Sequence, residues 1–368
     1  MHLVYLSPVH WESFAQRPHK FVEWFHARTG GKVLWLEPYP TRLPNMGDFS
    51  RRGSSVDRLL NKSPEWLTVI KPGGLPIEPI PGTDFVNRHR WRKVVDAAEE
   101  FARGKQVFLV IGKPSNLALL MLERLKRSVS LYDAMDDFPA FYSGLSRLSM
   151  RSREQALARK VDMMWTSSTE LMNRWSRTRN DVVLVRNGLD PAVLPVPVDR
   201  PPQDVKVFGY LGTIAKWFDW DWLFALAEAQ PKDEIRLIGP VFNPPAGQLP
   251  ANVTMHPACD HATGLRLMTQ FDIGLIPFKK TELTASVDPI KYYEYRSLGI
   301  PVISTDFGEM RFRSDEAGVF ISRQQADVAG VADEALRFGL SDGRDGQFLA
   351  RNAWNSRFDD TGILTRQQ

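Results

Sequence analysis

"DPAVLPVPVDRPPQD", residues 190–204, places five prolines in fifteen positions. Each proline fixes φ and removes a backbone donor, so the stretch can extend neither a helix nor a sheet ladder and reads as a stiff linker. At 368 residues the chain is longer than one core ordinarily fills. The linker therefore divides it into an expected first domain at 1–195 and a second at 196–345. Residues 346–368 are expected to form a closing helix that returns to the first domain.

Outward from the linker, both halves show the same rhythm. Upstream, the apolar run His2 to Leu6 precedes "RPHKFVEWFHART" (17–29), whose Phe21, Val22, Trp24 and Phe25 recur at helical spacing, and Lys32 to Leu36 forms a second run. The pattern repeats at "QVFLVIG" (106–112), "SVSLYDAMDD" (128–137) and "VDMMWTSS" (161–168), each followed by an amphipathic segment. Downstream it resumes with "VKVFGYLGTI" (205–214), "DWDWLFALAEA" (219–229), "EIRLIGP" (234–240), "NVTMHP" (252–257) and "DIGLIPF" (272–278). Apolar strands alternating with helices predict an α/β fold of two Rossmann-like, doubly wound parallel-sheet domains. Ligands of such sheets bind beyond the carboxyl ends of the strands, so two lobes facing across a cleft are expected to hold the chemistry between them. From Pro38 to Pro81 the rhythm fails, arginines gather at 51, 52 and 58, and only Trp66 to Ile70 looks like a strand. A long loop of this kind is ordinarily functional or disordered.

Composition narrows the partners. With 43% apolar and 24% charged residues the chain is ordinary globular material, no apolar run approaches the roughly 18 to 20 residues of a membrane span, and "MHLVYLS" lacks the features of a signal peptide. A cytoplasmic protein is expected. The single cysteine, Cys259, leaves no internal disulfide and no cysteine-rich zinc site. Residues 1–200 carry 30 Lys and Arg against 21 Asp and Glu, and residues 201–368 carry 17 against 22. A basic first half suits an anionic surface, a phosphorylated lipid or nucleic acid, or is plain solubilising charge, and the count does not choose.

The first strand is followed by "SPVHWESF" rather than G-x-G-x-x-G, and no phosphate-loop lysine motif occurs. Glycine gathers instead in "VFGYLGTI", with Gly212 and Thr213 at a strand end, and Gly239 closes "EIRLIGP". Such a turn can hold a phosphate on its N–H groups, although any strand-to-helix turn favours glycine. In "SVDPIKYYEYRSLGIPVIST" (286–305), Asp288 and Pro289 suit the cap and first turn of a helix that carries Lys291, Tyr292 and Glu294. Lys291 and Glu294, three apart, form either a surface ion pair or a cation and an anion turned toward one ligand, a diphosphate on the lysine and a ribose diol on the glutamate. The aspartates at 133, 136 and 137 read as a capping cluster, a metal site or an acid/base group. "DWD" at 219–221 reads as helix capping.

"DPIKYYEYRSLGIPVIST" resembles the donor-site helix of GT-B glycosyltransferases. "VRNGLD" (185–190) is similar to the motif closing the first domain in the retaining GT4 group, and "GYLGTIAKWFDWDWL" (209–223) to the strand, phosphate loop and helix opening the second. One departure stands out: GT4 enzymes carry a further glutamate eight residues before the one matching Glu294, and here Ser286 occupies that place. The lysine and "SLYDAMDDFP" instead resemble the GT70 xanthan glucuronosyltransferase and teichuronic-acid-type enzymes, which implies Asp136 as general base of an inverting transfer. The resemblance further implies that Lys291, Tyr292, Glu294, Gly212, Thr213 and Gly239 bind a nucleotide-diphosphate sugar, UDP- or GDP-linked, with no cofactor and no metal. It turns His10, Trp11, Arg17, His19 and Asp133 toward the acceptor: Arg17 for a phosphate, Trp11 for a sugar face, His10 as a second candidate base. Equally, the histidines can be structural. The expected activity is hexosyl transfer to a glycan or polyprenyl-diphosphate-linked acceptor in cell-surface polysaccharide synthesis, at an anionic inner membrane face, with no nucleic acid. A sugar-nucleotide epimerase of the same fold and a basic nucleic-acid-binding protein are the competing readings.

Overall fold

The computed structural model describes residues 1–43, 63–196, 203–338 and 345–365. The arginines at 51, 52 and 58, the start of "RLLNKSPEWL" and the linker prolines 197, 201 and 202 lie outside the described residues. The chain divides into two compact units, Met1–Val185 together with the end from Thr361, and Arg186–Asp360.

In the first unit seven strands, β1 (His2–Leu6), β2 (Val33–Leu36), β3 (Leu67–Ile70), β4 (Val107–Ile111), β5 (Val129–Ala134), β6 (Met163–Thr166) and β7 (Val182–Leu184), form one sheet in the order β3-β2-β1-β4-β5-β6-β7. Every neighbouring pair is parallel. Its helices are α1 (Arg17–Thr29), α2 (Asp84–Arg90), α3 (Arg92–Ala102), α4 (Asn116–Arg124), α5 (Gly144–Lys160) and α6 (Thr169–Trp175). Chain order runs outward through β1, β2 and β3 and then returns to the other side of β1 with β4, which sets the switch point of a doubly wound sheet there.

The second unit repeats the plan. Strands β8 (Val207–Leu211), β9 (Glu234–Ile238), β10 (Val253–His256), β11 (Ile273–Ile276), β12 (Val302–Thr305) and β13 (Val319–Ser322) lie in the order β10-β9-β8-β11-β12-β13, all parallel. Helices α7 (Trp220–Ala229), α8 (His261–Met268), α9 (Ile290–Ser297), α10 (Val328–Phe338), α11 (Gly346–Asn352) and α12 (Trp354–Asp359) accompany them. The α/β, doubly wound expectation is borne out in both units.

Central strands explain why the sequence showed this. β2, β4, β11 and β12 are buried at every position, as strands covered on both faces must be, and so they read as unbroken apolar runs. Of the edge strands, β10 is mostly exposed and β7 is half-buried throughout.

The unit boundary falls earlier than the proline linker. "VRNGLD" straddles that boundary, Val185 ending the first unit and Arg186 opening the second, where Asn187 donates its backbone N–H to Asp288 Oδ2 at 2.8 Å and its side-chain amide to Asp288 O at 2.7 Å. Leu189 N donates to Asn352 O at 2.9 Å. The closing helices α11 and α12 likewise group with the second unit, and only the residues from Thr361 group with the first. No described helix is long and apolar enough to cross a membrane.

Candidate functional site

In the second unit three predicted residues are interlocked. β8 ends at Leu211 and β9 at Ile238, and each is followed by a glycine at positive φ, Gly212 at 146° and Gly239 at 142°. A Cβ on Gly239 would stand 2.2 Å from Gly212 O, and a Cβ on Gly212 would stand 2.5 Å from Lys291 Cε and Nζ. Any larger residue would drive these segments apart, so the glycines are needed for close approach as well as for φ. Lys291, the second residue of α9, thus lies against the turn that ends β8, its Nζ 5.3 Å from the Tyr210 ring centroid and 5.9 Å from that of Phe278. Nζ has no carboxylate or carbonyl partner among the described residues. Burial pushes its pKa below the ordinary lysine value, with Glu294 as the opposing influence. A desolvated ammonium against the Gly212 turn and two aromatic faces, with no carboxylate bonded to it, has the chemistry to hold an anionic ligand.

Glu294 does not pair with Lys291. Its Oε1 meets His261 Nε2 at 2.8 Å. His261 opens α8, whose cap is Asp260, accepting from Thr263 N at 2.9 Å. The sequence reading passed over His261; the signal was an Asp-His pair at a helix start just beyond the carboxyl end of β10.

Two further expectations on this helix change. Asp288 does not cap α9: the helix begins after Pro289 with no side-chain cap. The Asp288 carboxylate, 4% exposed, instead accepts from Arg313 at 2.7 Å, Tyr293 Oη at 2.8 Å and Asn187 N at 2.8 Å. Tyr292 is a core residue, 3% exposed, with the Arg313 guanidinium 3.8 Å over its ring and its hydroxyl on Glu316. Helical geometry accounts for this, because 291 and 294 share one face while 292 lies about 100° round, toward the core. Thr213 is half-buried, and its carbonyl accepts from Tyr210 Oη at 2.8 Å. Asp219 caps α7 through Trp222 N, as read from the sequence.

In the first unit the three aspartates at the end of β5 have separate fates. Asp133, fully buried, takes a bidentate pair from Arg17, Nε to Oδ2 and Nη2 to Oδ1, both 2.8 Å. Arg17 Nη1 also donates to Val185 O at 2.7 Å. Such a fork-on-fork pair is strong and internal, so neither residue is presented to an acceptor. Asp137 pairs with Arg174 at 2.6 Å. Asp136, half-buried, makes no hydrogen bond or ion pair among the described residues. Burial pushes its carboxyl up to about 7; Arg17 opposes that rise, and Asp133 and Asp137 add to it. The aspartate without an arginine partner is thus the one raised toward neutral pH, where a carboxyl can serve as acid or base. No group of three His, Cys, Asp or Glu side chains among the described residues is placed to hold a metal.

The loop after β1 is more structural than its sequence suggested. Trp11, 7% exposed, packs edge-on to Trp35 with ring centroids 5.2 Å apart and lies 5.1 Å from the His19 ring. His19 is buried with both nitrogens used locally, Nε2 against Trp11 O at 3.1 Å and Nδ1 accepting from Gln16 N at 3.2 Å. Burial lowers its pKa, which keeps it neutral. Of the acceptor-side residues expected here, His10 alone stays exposed, its Nδ1 held 2.8 Å from Oε2 of the buried Glu37. Glu37 also lines a small cavity of about 20 Å³, with Ser7, Thr41, Lys113 and Ser115, beyond the ends of β1, β2 and β4. That is room for about one water.

No family model matches the chain. It is 23% identical over 315 residues, covering 79% of this chain and 76% of the relative, to TuaH of Bacillus subtilis (strain 168), provisionally named a teichuronic acid biosynthesis glycosyltransferase. Among solved structures it is similar to the lipopolysaccharide outer core galactosyltransferase WaaB in its apo form, with TM-score 0.63, 12% identity, and 99% of this chain and 100% of that one covered. It is also similar to apo OtsA, with TM-score 0.64, 11% identity, and 100% and 99% covered. At these identities the structural likeness shows the fold alone, that of the GT-B glycosyltransferases.

Proposed function

We propose that the protein is a glycosyltransferase that moves a hexose from a nucleoside-diphosphate sugar, UDP- or GDP-linked, to a glycan or polyprenyl-diphosphate-linked acceptor in cell-surface polysaccharide synthesis. The observation that carries this reading is Lys291, half-buried against the Gly212 turn with no carboxylate bonded to its ammonium among the described residues. The GT-B fold and the names of TuaH and WaaB support the reaction class, and the name of TuaH supports the polysaccharide context.

In this reading the second unit holds the donor. Lys291, the uncapped first turn of α9 and the Gly212 turn receive the diphosphate, and Glu294 receives the ribose diol with the oxygen that His261 leaves open. The first unit supplies Asp136. Its carboxylate takes the proton of the acceptor hydroxyl as that oxygen bonds to the anomeric carbon. The bond from that carbon to the diphosphate oxygen breaks, and the nucleoside diphosphate leaves with the electron pair, its growing charge met by Lys291 and backbone N–H groups. One displacement inverts the anomeric centre, and the residues named need neither metal nor cofactor. The work is placed at the cytoplasmic face of an anionic membrane.

The test is a thermal-shift panel of UDP- and GDP-sugars on the purified chain. At a hundredfold excess over Kd the matching donor stabilises by about 2.7 kcal/mol, a rise in Tm of a few degrees, and the anomeric configuration of the product is then read by proton NMR. A panel in which no nucleotide sugar moves Tm would overturn the reading. Conversion of the donor into a new nucleotide sugar without acceptor would assign an epimerase instead.

Gly212→Ala probes the same geometry. A methyl at φ 146°, 2.5 Å from Lys291 Nζ, is expected to cost about 1–3 kcal/mol of stability and to lower donor affinity at least about tenfold by displacing the ammonium. Calorimetric titration of wild type and variant checks this, and unchanged affinity would separate Lys291 from the donor.

A further inference from the structure

We infer that the N-terminal half of α5, with the 3-10 turn before it, is a docking face for an anionic lipid bilayer. Three large apolar side chains stand out from this corner of the first unit: Phe141 at 51%, Leu145 at 60% and Leu148 at 62% exposure. Leu145 and Leu148, three apart, share one face of α5, and Phe141 ends the 3-10 helix Phe138–Phe141 that leads into it. Other exposed apolar side chains, such as Phe85 on α2, stand on elements elsewhere in the sequence.

The charge on the same helix selects the partner. α5 carries Arg147, Arg151, Arg153, Arg159 and Lys160, while its one acid, Glu154, is 2% exposed and accepts from Tyr132 Oη at 2.8 Å. Arg153 is drawn inward to Glu78, but Arg151 is exposed three residues beyond Leu148. Arg147 is half-buried and Lys160 faces Glu123 at 3.7 Å, so the N-terminal half of α5 presents two apolar anchors, one exposed cation, Arg151, and no acid to solvent, a combination suited to an anionic interface. A second copy of the chain fits less well, since three side chains fall short of the roughly 800 Å² per partner of a stable interface. The face also follows Asp136 by five residues at the carboxyl edge of the sheet. On the reading above, a bilayer held there brings lipid head groups to the element that carries the base.

The experiment uses the full chain and sucrose-loaded phosphatidylcholine vesicles with and without phosphatidylglycerol, and no nucleotide sugar, so that a failure of donor uptake and a failure of docking are read separately. Wild type is expected to sediment with the anionic vesicles at low salt and to be released at high salt. The double variant Leu145→Ser, Leu148→Ser should lower the bound-to-free ratio at least about tenfold, Arg151→Ser about fivefold at low salt, and Phe85→Ser should leave it unchanged. Because all four side chains are exposed, circular dichroism and Tm should match wild type throughout. No sedimentation of wild type, an equal loss with Phe85→Ser, full binding by the double variant, or light scattering showing that the double variant dissociates a dimer would each overturn the assignment.

Discussion

Lys291→Met is expected to lower kcat/KM about 10³-fold, about 4 kcal/mol, and at the same time to raise the Tm of the donor-free protein. The first effect follows from the loss of the cation that meets the developing diphosphate charge. The second follows from what the lysine costs before a donor arrives. Desolvation disfavours the half-buried ammonium, Glu294 opposes that only in part, and the Tyr210 and Phe278 faces at 5.3 and 5.9 Å return about 1 to 2 kcal/mol. Methionine keeps the apolar length against those rings and removes the charge. The sign with pH is fixed: the lysine pKa is lowered in the folded chain, so its cost is full where the folded side chain is charged and vanishes above its ordinary 10.5. The variant's advantage in Tm should therefore shrink as pH approaches 10.5. Kinetics and a thermal scan of the two proteins, with and without nucleoside diphosphate, measure both effects. A variant less stable than wild type with unchanged kcat/KM would make Lys291 a packing residue.

The parts of this site that the sequence revealed share one property: their signal is local in the chain. The i, i+3 spacing of Lys291 and Glu294 is local, as are the glycines that follow β8 and β9, and fully buried strands announce themselves as apolar runs. What stayed hidden depends on pairs brought together by the sheet. Arg17 looked like an open phosphate ligand because its carboxylate, Asp133, lies 116 residues away on β5. His261 meets Glu294 across 33 residues. Asp288 ahead of a proline has the look of a cap, and only the fold brings Arg313 and Asn187 to claim its carboxylate. Edge strands β7 and β13 left no clear mark either, each being four residues or fewer. In a parallel sheet, with every strand pairing nonlocal, a polar residue's fate is decided by whichever strand end lands beside it, which periodicity does not encode.

Asp136→Asn is expected to reduce kcat by about 10² to 10⁴-fold, about 3 to 5 kcal/mol, with donor affinity unchanged, because the donor contacts are assigned to the other unit. The pH profile separates this from general damage. With the Asp136 carboxyl pushed up to about 7 by burial, the base form is lost as pH falls, so wild-type kcat/KM should drop about tenfold per unit below pH 7 and level off above it. The asparagine variant should lose that limb. Stability moves in the opposite sense. A carboxyl raised from 3.8 to about 7 on folding favours the folded state in its neutral form. That contribution is fully present below pH 3.8 and is lost as pH rises through about 7, after which the folded chain carries a desolvated charge. Asparagine mimics the neutral form at every pH, so its Tm should exceed wild type at pH 8 and converge with it toward pH 4. His10 supplies the internal control, since it is exposed, held by Glu37, and the other group placed to take a proton in this unit. If His10→Ala abolished the acid limb while Asp136→Asn kept it, the base would be the histidine and the half-buried aspartate a structural charge.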